Sequence, residues 1–335
     1  MCRRNLLIHG SLFAAPIILF LISFISGRYP ISFVTVIHIL LSPFSSENHF
    51  WTPMAENVVF QVRLPRILAA MLVGAGLSAA GAAFQGVFRN PLVSPYILGV
   101  AAGAGFGASL AILLSDSTVL VQLSALLFGL FAVFCSYSLS RVYKSAPTLV
   151  LILGGIVVGA FFSSLISLIK FVADPYEKLP AIVFWLMGSL ASINLTVLAS
   201  TGTVIVLALI ILVILGWRIN ILAMGETEAR AFGIDTKLDR GIIIFLCTLI
   251  TAAATCLVGI IGWVGLVIPH IARLLVGPDN RKLIPACISL GACYLLCVDT
   301  LARTLTETEI PLGILTSSLG APFFAYLIMK KKVGW

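Results

Sequence analysis

Long apolar runs, separated by short charged or turn-forming segments, constrain this chain more than any other feature of its sequence. Of its 335 residues, 60% are hydrophobic and only 10% are charged, whereas soluble domains average about 25% charged residues. A helix of about 20 apolar residues crosses the hydrocarbon core of a bilayer, and a side chain in lipid needs no polar surroundings. The sequence therefore predicts an all-α polytopic membrane protein rather than a soluble helical protein with a very large core.

Ten apolar segments are predicted to span the membrane, and the eighth of them is unusually short. They are 6–26, 64–86, 93–114, 118–140, 147–170, 195–216, 241–259, 263–277, 283–303 and 311–329. A further apolar segment, 178–190, is predicted to be a half-span or an interfacial helix on the outer side. The whole chain, 1–335, is interpreted as one transmembrane domain with an outer loop at 28–62 and a charged inner segment at 217–240.

The basic residues indicate the orientation of these spans. If the N-terminus is cytoplasmic and the ten spans alternate, the inner ends and loops hold 15 of the 21 Lys and Arg residues. The positive-inside rule then predicts that both termini are cytoplasmic. The net charge of +8 resides mostly in these loops, and no basic patch is interleaved with aromatic residues, so nucleic-acid binding is not expected.

The second span carries small side chains at every fourth position. On a helix these residues form one narrow stripe, which predicts close packing at the centre of a tight bundle, with a pore-lining role as the alternative. The stripe consists of Ala70, Gly74, Ser78, Ala82 and Gly86.

Two polar features flank this stripe. Gln85, in the inner half of the span, is expected to form an interhelical hydrogen bond, with contact to a cargo as the alternative. The following stretch, FRNPLVSP (88–95), predicts a helix stop, a turn and a new helix with Pro95 in its first turn.

Three arginines lie on the side of the membrane where the rule expects few. Arg63 and Arg66 lie at the entry of the second span at a spacing of three, and Arg303 ends the ninth span with Asp299 one turn earlier as its expected partner. They are either arginines that extend to the membrane surface or cations that meet acidic groups of an extracytoplasmic partner.

The inner segment 217–240 holds a candidate docking element. Gly225 and Gly233 bracket the stretch ETEARAF, which predicts a helix of one or two turns with exposed charges and with Ala229 and Phe232 available to pack. This helix is interpreted either as an inert part of a loop or as a docking helix for a cytoplasmic partner.

Catalytic and metal-binding patterns are missing from the sequence. The chain has no Gly-Lys pair and therefore no P-loop, and it has neither HExxH nor G-x-S-x-G. Six of the seven cysteines fall within apolar runs, the four histidines are scattered, and only Asp299 among the acidic residues lies in a predicted span. No catalytic, cofactor-binding or metal site is predicted. The scarcity of carboxylates in the spans also disfavours an ion-coupled carrier.

Three long motifs resemble those of FecCD-type permeases, the membrane subunits of type II ABC importers for iron-siderophores, haem and cobalamin. The first is RLPRILAAMLVGAGLSAAGAAFQGVFRNPLVSPYILGVAAGAGFG, and the other two are GWVGLVIPHIARLLVGPDNRKLIP and DTLARTLTETEIPLGILTSSLGAPFFAYLIMKK. The likeness runs from about Arg63 to Lys331.

The resemblance implies a ten-helix permease fold and a homodimer whose pathway lies on the two-fold axis. It also implies two separate ATPase subunits, an extracytoplasmic binding protein, and a place in a bacterial or archaeal plasma membrane. The chain itself would not be an enzyme, because ATP is bound by the partner subunits. A ferric siderophore is the expected cargo, with haem, cobalamin or an oxyanion such as molybdate left open. The alternative is an ion-coupled secondary transporter that works without an ATPase.

The same resemblance assigns roles to individual residues. Arg63, Arg66 and Arg303 fall where the family docks glutamates of the binding protein. The expected ATPase contacts in the coupling segment 217–240 are Gly225, Glu226, Ala229 and Gly233. The expected pathway and gate residues are Gly154, Gly155, Gly159, Ser163 and Ser164.

Overall fold

The computed structural model describes residues 2–44, 50–142 and 148–330, and all regular secondary structure in these ranges is helical. Residues 42–44 form a short 3-10 turn and 58–63 a π-helical turn. The helices are α1 (Cys2–Ile25), α2 (Phe33–Leu41), α3 (Pro53–Asn57), α4 (Leu64–Phe88), α5 (Val100–Leu114), α6 (Thr118–Arg141), α7 (Thr148–Val172), α8 (Lys178–Met187), α9 (Leu195–Ile214), α10 (Gly216–Met224), α11 (Glu226–Ala231), α12 (Thr236–Val258), α13 (Val264–Val276), α14 (Asn280–Thr304) and α15 (Leu312–Met329).

The predicted class of an all-α polytopic membrane protein is confirmed. Within the described ranges, seven helices are long and apolar enough to cross a membrane, and four more are apolar but shorter. Each of the ten predicted spans overlaps one of these helices. The segment predicted as a half-span, 178–190, contains α8, whose ten residues extend only about 15 Å and are too short to cross a bilayer.

The third predicted span starts too early, because α5 begins at Val100 and not at residue 93. Residues 90–99 instead form successive turns that pack on other parts of the chain. The Tyr96 hydroxyl donates to the carbonyl of Ile261 at 3.0 Å, and a Cβ on Gly265 would meet the ring of Pro95. Gly99, in the left-handed conformation at φ +83°, ends these turns. Pro95 therefore lies before the helix and not in its first turn.

The segment predicted as an outer loop, 28–62, is largely helical where it is described. It contains α2 and α3, and the π-helical turn of residues 58–63 continues α3 directly into α4. Helix α3, the π-helical turn and α4 thus form one apolar helical run over Pro53–Phe88. The second span therefore begins earlier than predicted, and Arg63 and Arg66 lie within the helix rather than at its entry.

Helix α4 lies at the centre of the bundle, with 83% of its most apolar stretch buried. A Cβ on Gly74 would meet the carbonyl of Gly291 in α14, and a Cβ on Gly81 would meet the backbone of Gly265 in α13. Such small residues let helix backbones approach closely in lipid. The predicted packing role of the stripe is confirmed, because all five of its residues are buried and Gly74 lies against α14.

Gln85 forms the interhelical contact that its position predicts. Arg273 of α13 donates from Nη2 to Oε1 of Gln85 at 2.9 Å. The amide of Gln85 is fully buried, so this bond and a longer one to the carbonyl of Val93 satisfy groups that would otherwise be costly to bury.

Helices α5, α6 and α7 form a second group beside this centre. Phe106 lies against Phe128 and Phe162, with ring centroids 5.0 Å and 5.4 Å apart respectively. Helices α6, α7, α9 and α15 lie at the edge of the described fold, because only 28% to 33% of their most apolar stretches are buried. Their remaining surfaces are left for lipid or for another protein chain.

Candidate functional site

An ion cluster lies where α4 begins and α14 ends, at what is called here the arginine end of the bundle. Arg66 Nε lies 2.8 Å from Asp299 Oδ1, and Arg66 Nη1 lies 2.7 Å from Glu309 Oε1. Arg303 Nε lies 3.5 Å from Asp299 Oδ2. The expected pair of Asp299 and Arg303 is therefore confirmed, and Arg66 and Glu309 join it.

Arg63 and Arg303 also hold the C-terminal end of α1. Arg63 donates to the carbonyls of Phe24 and Tyr29, while Arg303 donates to the carbonyls of Ser23 and Ser26 at 2.7 Å and 2.6 Å. The last carbonyls of a helix have no partner within the helix, and cations near this end are favourable. The two guanidinium groups thus cap α1 and tie it to α4 and α14.

The three arginines predicted to dock a partner are brought together, but they are not presented on the surface. Arg63, Arg66 and Arg303 are only 4%, 7% and 7% exposed. Their charge of +3 exceeds the −2 of Asp299 and Glu309, so the cluster keeps an excess positive charge. Their docking role stays a prediction. It requires that a carboxylate of the binding protein replace Asp299 or Glu309, or one of the backbone carbonyls, as a partner of these arginines.

Glu309 was not predicted as a site residue. It lies 243 positions from Arg66 in the sequence, so no local spacing reveals the pair. The one available signal was its place in the acidic stretch TETE (306–309), which begins three residues after Arg303.

At the opposite end of α4, called here the α11 end, the coupling segment forms α10, α11 and the start of α12. Gly225 and Gly233 lie at the two ends of α11 with φ of +144° and +74°, a region of backbone conformation that favours glycine. Glu226 is exposed on the first turn of α11, with its Oε1 3.8 Å from Nη2 of Arg230. The predicted short helix is thus confirmed, with its glycines as the bends that separate it from its neighbours.

Gly225 is buried, whereas Glu226 and Gly233 are exposed. Ala229 is fully buried as well. It packs α11 onto the bundle, so it does not offer a surface to a partner chain. The exposed surface of α11 and its C-cap includes Glu226, Arg230 and Phe232, and Phe232 is 59% exposed.

Polar contacts fix α10 to its neighbours. Asn220 accepts from the backbone N–H of Asn280 at 2.8 Å and donates to Asp279 at 2.6 Å. Arg218 pairs with the buried Asp239 of α12 at 2.5 Å. Displacement of α10 and α11 would therefore be transmitted to α12 and α14.

The contact between α10 and α14 involves the carboxylate of Asp279, which lies directly before α14. Hydrogen bonds from the Arg281 side chain, and then from Asn220 and the Arg281 backbone, lower the pKa of Asp279 to about 2, although partial burial opposes the shift. The carboxylate is therefore ionised at any physiological pH.

The predicted pathway residues on α7 divide into two groups. Gly154 and Gly155 are buried against the carbonyls of Ser136 and Ile97, and Gly159 lies beside Gly99. These glycines let α7 approach α6 and the turns before α5. The other group, Ser163 and Ser164, is exposed at the edge of the fold.

Comparisons with known proteins agree with this arrangement. The model of the FecCD transport family matches residues 15–330. A molybdate import system permease protein of Haemophilus influenzae is 42% identical over 96% of this chain and 96% of its own length. A probable iron chelatin transport system permease protein of Helicobacter pylori is 39% identical over 82% of this chain and 83% of its own. A solved structure, described as an inward-facing conformation of a metal-chelate type ABC transporter, is 40% identical with a TM-score of 0.86, covering 97% of this chain and 99% of that chain.

Proposed function

The chain belongs to the FecCD transport family and is an ABC-importer permease of the bacterial inner membrane; from this we propose that it forms a homodimer with two ATPase subunits and receives its cargo from an extracytoplasmic binding protein. The family match over residues 15–330 carries this proposal. The missing P-loop is consistent with nucleotide being bound by other chains. The arginine end would then be extracytoplasmic and the α11 end cytoplasmic, with both termini inside.

The exposed serines on α7 and α15 support a pathway between two copies of the chain. Ser163 and Ser164 of α7 and Ser317 and Ser318 of α15 are exposed at the edge of the fold. A hydroxyl facing lipid has few hydrogen-bond partners, whereas one facing a hydrated passage or a second protein chain can find them. A two-fold axis beside α7 and α15 would place these serines along the passage.

The arrangement of α10 and α11 supports a coupling role. ATP-driven closure of the ATPase subunits would move α11, whose exposed residues face outward from the bundle. The bonds of Asn220 and Arg218 would pass that movement to α14 and α12. The permease would thereby switch the side on which its passage is open.

The cargo is proposed from the relatives, because the passage of a permease contacts its cargo only briefly. The molybdate permease aligns with almost all of this chain, while the iron chelatin permease aligns with about four fifths of it. We therefore propose an oxyanion such as molybdate as the first cargo to test and a ferric siderophore as the second. Haem and cobalamin are the further chelates to include.

Reconstitution tests this function directly. Proteoliposomes containing the permease and its ATPase should accumulate cargo only when ATP and the loaded binding protein are both supplied. Calorimetric titration of the binding protein with molybdate, ferric siderophore, haem and cobalamin identifies the cargo. Uphill uptake by the permease alone, driven by an ion gradient, would instead establish the secondary transporter. That alternative finds no support in the described residues, since the buried carboxylates Asp239 and Asp299 are both paired with arginine.

A further inference from the structure

A cavity of about 860 Å³ opens at the α11 end, between α6, α9 and α12. Its lining combines charged side chains near the end of the bundle with apolar side chains along α9 and α12. It lies apart from the arginine end and from the exposed serines of α7 and α15. None of the roles described above accounts for it.

Three cations line this cavity: Arg141, Lys237 and Arg240. Within the described ranges, none of them lies within ion-pair distance of a carboxylate. Arg141 lies over the ring of Tyr137, 5.2 Å from its centroid. The Nε of Arg240 is buried and has no hydrogen-bond partner among the described atoms, which is a costly state for a guanidinium group.

The two acidic residues of the lining are already engaged elsewhere. Asp235 caps α12 by accepting from the backbone N–H groups of Lys237 and Leu238 at 3.0 Å and 3.2 Å. Glu226 lies 3.8 Å from Arg230 and accepts from the Thr236 hydroxyl. The cavity lining therefore carries an excess of one positive charge, and no carboxylate of the described chain forms an ion pair with its three cations.

An apolar stripe continues from these cations along the membrane-spanning part of α12. Leu238, Ile242 and Phe245 follow one another at spacings of four and three residues, so they lie on one face of the helix. All three are exposed, and Ile211 of α9 lines the cavity beside them. The stripe extends about 10 Å from the charged end toward the middle of the bundle.

We propose that this cavity binds an anionic phospholipid of the leaflet at the α11 end. Arginine and lysine bind phosphate oxygens strongly, and basic pockets between transmembrane helices receive acidic lipid headgroups. The phosphate would lie between Arg141, Lys237 and Arg240, with an acyl chain along Leu238, Ile242 and Phe245. Glu226 lines the same cavity, so the lipid would lie next to the proposed coupling helix α11. Only the identification of this leaflet as the cytoplasmic one rests on the proposed function.

Native mass spectrometry of the full-length protein in detergent tests the proposal. Phosphatidylglycerol should bind more tightly than phosphatidylcholine of the same chain length. Each cation near a membrane surface contributes roughly fivefold in affinity, so the double variant R141Q/R240Q should bind phosphatidylglycerol about 30-fold more weakly. The control is K282Q, which removes one exposed cation from the first turn of α14 outside the cavity and should change the affinity less than twofold.

Competition with soluble glycerol phosphate distinguishes a lipid from a free phosphate. Phosphatidylglycerol that stays bound in millimolar glycerol phosphate supports the lipid site, and displacement would assign the cavity to a soluble anion instead. Equal binding of phosphatidylcholine, unchanged binding by R141Q/R240Q, or an equal loss in K282Q would each overturn the proposal. Thermal unfolding of each variant verifies that it is folded. Copurification of an ATPase is measured in a separate experiment. If no ATPase copurifies, the importer assignment fails, but the result on lipid binding still stands.

Discussion

At the scale of single residues, the arginines at the arginine end have a structural task that explains their position. The end of α1 presents carbonyl groups that no later helical turn satisfies, and in lipid there is little water to replace one. Arg63 and Arg303 donate to these carbonyls, while Arg66 and Asp299 join α4 to α14. A role in docking a binding protein would be added to this task and would have to compete with it.

Asp299 is the residue on which the cluster depends most, because it is fully buried and lies near two arginines. We predict that Asp299→Asn lowers the free energy of unfolding by about 3 kcal/mol, since it leaves Arg66 and Arg303 without their shared anion. Unfolding in detergent, followed by tryptophan fluorescence, measures the change. Asp116→Asn is the control, because Asp116 pairs with Lys178 but its side chain is 96% exposed, and its loss should stay below about 0.5 kcal/mol. Equal losses of unfolding free energy in the two variants would show that the cluster does not depend on Asp299.

Glu309 offers a test of docking that leaves the buried ions in place. If Arg66 meets a carboxylate of the binding protein, Glu309 competes with that carboxylate. Glu309→Gln should then raise the affinity for the binding protein by about fivefold, because a partly exposed ion pair contributes up to about 1 kcal/mol. Surface plasmon resonance with the immobilised permease measures this affinity. Glu307→Gln removes an exposed charge from the same loop, and an equal effect of both variants would show general surface charge rather than exchange at Arg66.

At the scale of helices, hydropathy predicted where the spans lie but not how their ends pack. The predicted start of the third span was wrong because the turns around Pro95 and Gly99 depend on contacts with Ile261 and Gly265, which are distant in sequence. The buried position of Ala229 likewise depends on how α11 rests on the bundle. The stripe on α4 could be recognised from sequence, because small residues every four positions have one main use in lipid.

The packing of α4 against α14 should be sensitive to a single methyl group. A Cβ on Gly74 would meet the backbone carbonyl of Gly291, which cannot move aside as a flexible side chain could. We predict that Gly74→Ala destabilises the protein by about 1–3 kcal/mol, the usual cost of overpacking. The control is Gly10→Ala in α1, where an added Cβ has nothing within 4 Å. Thermal stability in detergent compares the two, and a tolerated Gly74→Ala would show that the two helices pack less closely than described.

The link between α10 and α14 should depend on pH in a defined direction. Asp279 has a pKa of about 2 in the folded protein, below the value of about 3.9 for an unperturbed aspartate. Its charge therefore stabilises the fold above pH 4, and this contribution is lost as the pH falls toward 2. The melting temperature of Asp279→Asn should lie below that of the wild type at pH 7, and the difference should narrow between pH 4 and pH 3. A constant difference across this range would mean that the charge of Asp279 does not act on stability.

At the scale of the whole molecule, the fold has a buried centre, and the proposed functional surfaces lie at its ends and edge. The buried α4 runs from Arg66 at the arginine end to Arg89, whose guanidinium lies near the backbone of Gly225 at the α11 end. The two ends are therefore joined by one helix and by α14, which carries Arg303 at one end and Asn280 at the other. A permease that is driven from one side and loaded from the other requires such a connection, and a movement of α11 can reach the arginine end through it.

This connection is useful only if a partner holds α11, and Phe232 is the side chain best placed for that contact. It is 59% exposed at the end of α11, on a segment that the bonds of Asn220 and Arg218 anchor to the bundle. Aromatic residues, phenylalanine among them, are enriched in protein–protein interfaces relative to the rest of the surface. We predict that Phe232→Ser reduces copurification of the ATPase at least tenfold, as the loss of about 2 kcal/mol from one anchor residue implies.

Phe171→Ser is the matched control for this experiment. It makes the same chemical change at a phenylalanine that is 86% exposed, but at the end of α7 away from α11. Both variants should unfold at the temperature of the wild type, and only Phe232→Ser should lose the ATPase. If the ATPase stays bound to Phe232→Ser, the movement that drives the permease enters the fold elsewhere than at α11. The bonds that tie α10 to α12 and α14 would then serve stability alone.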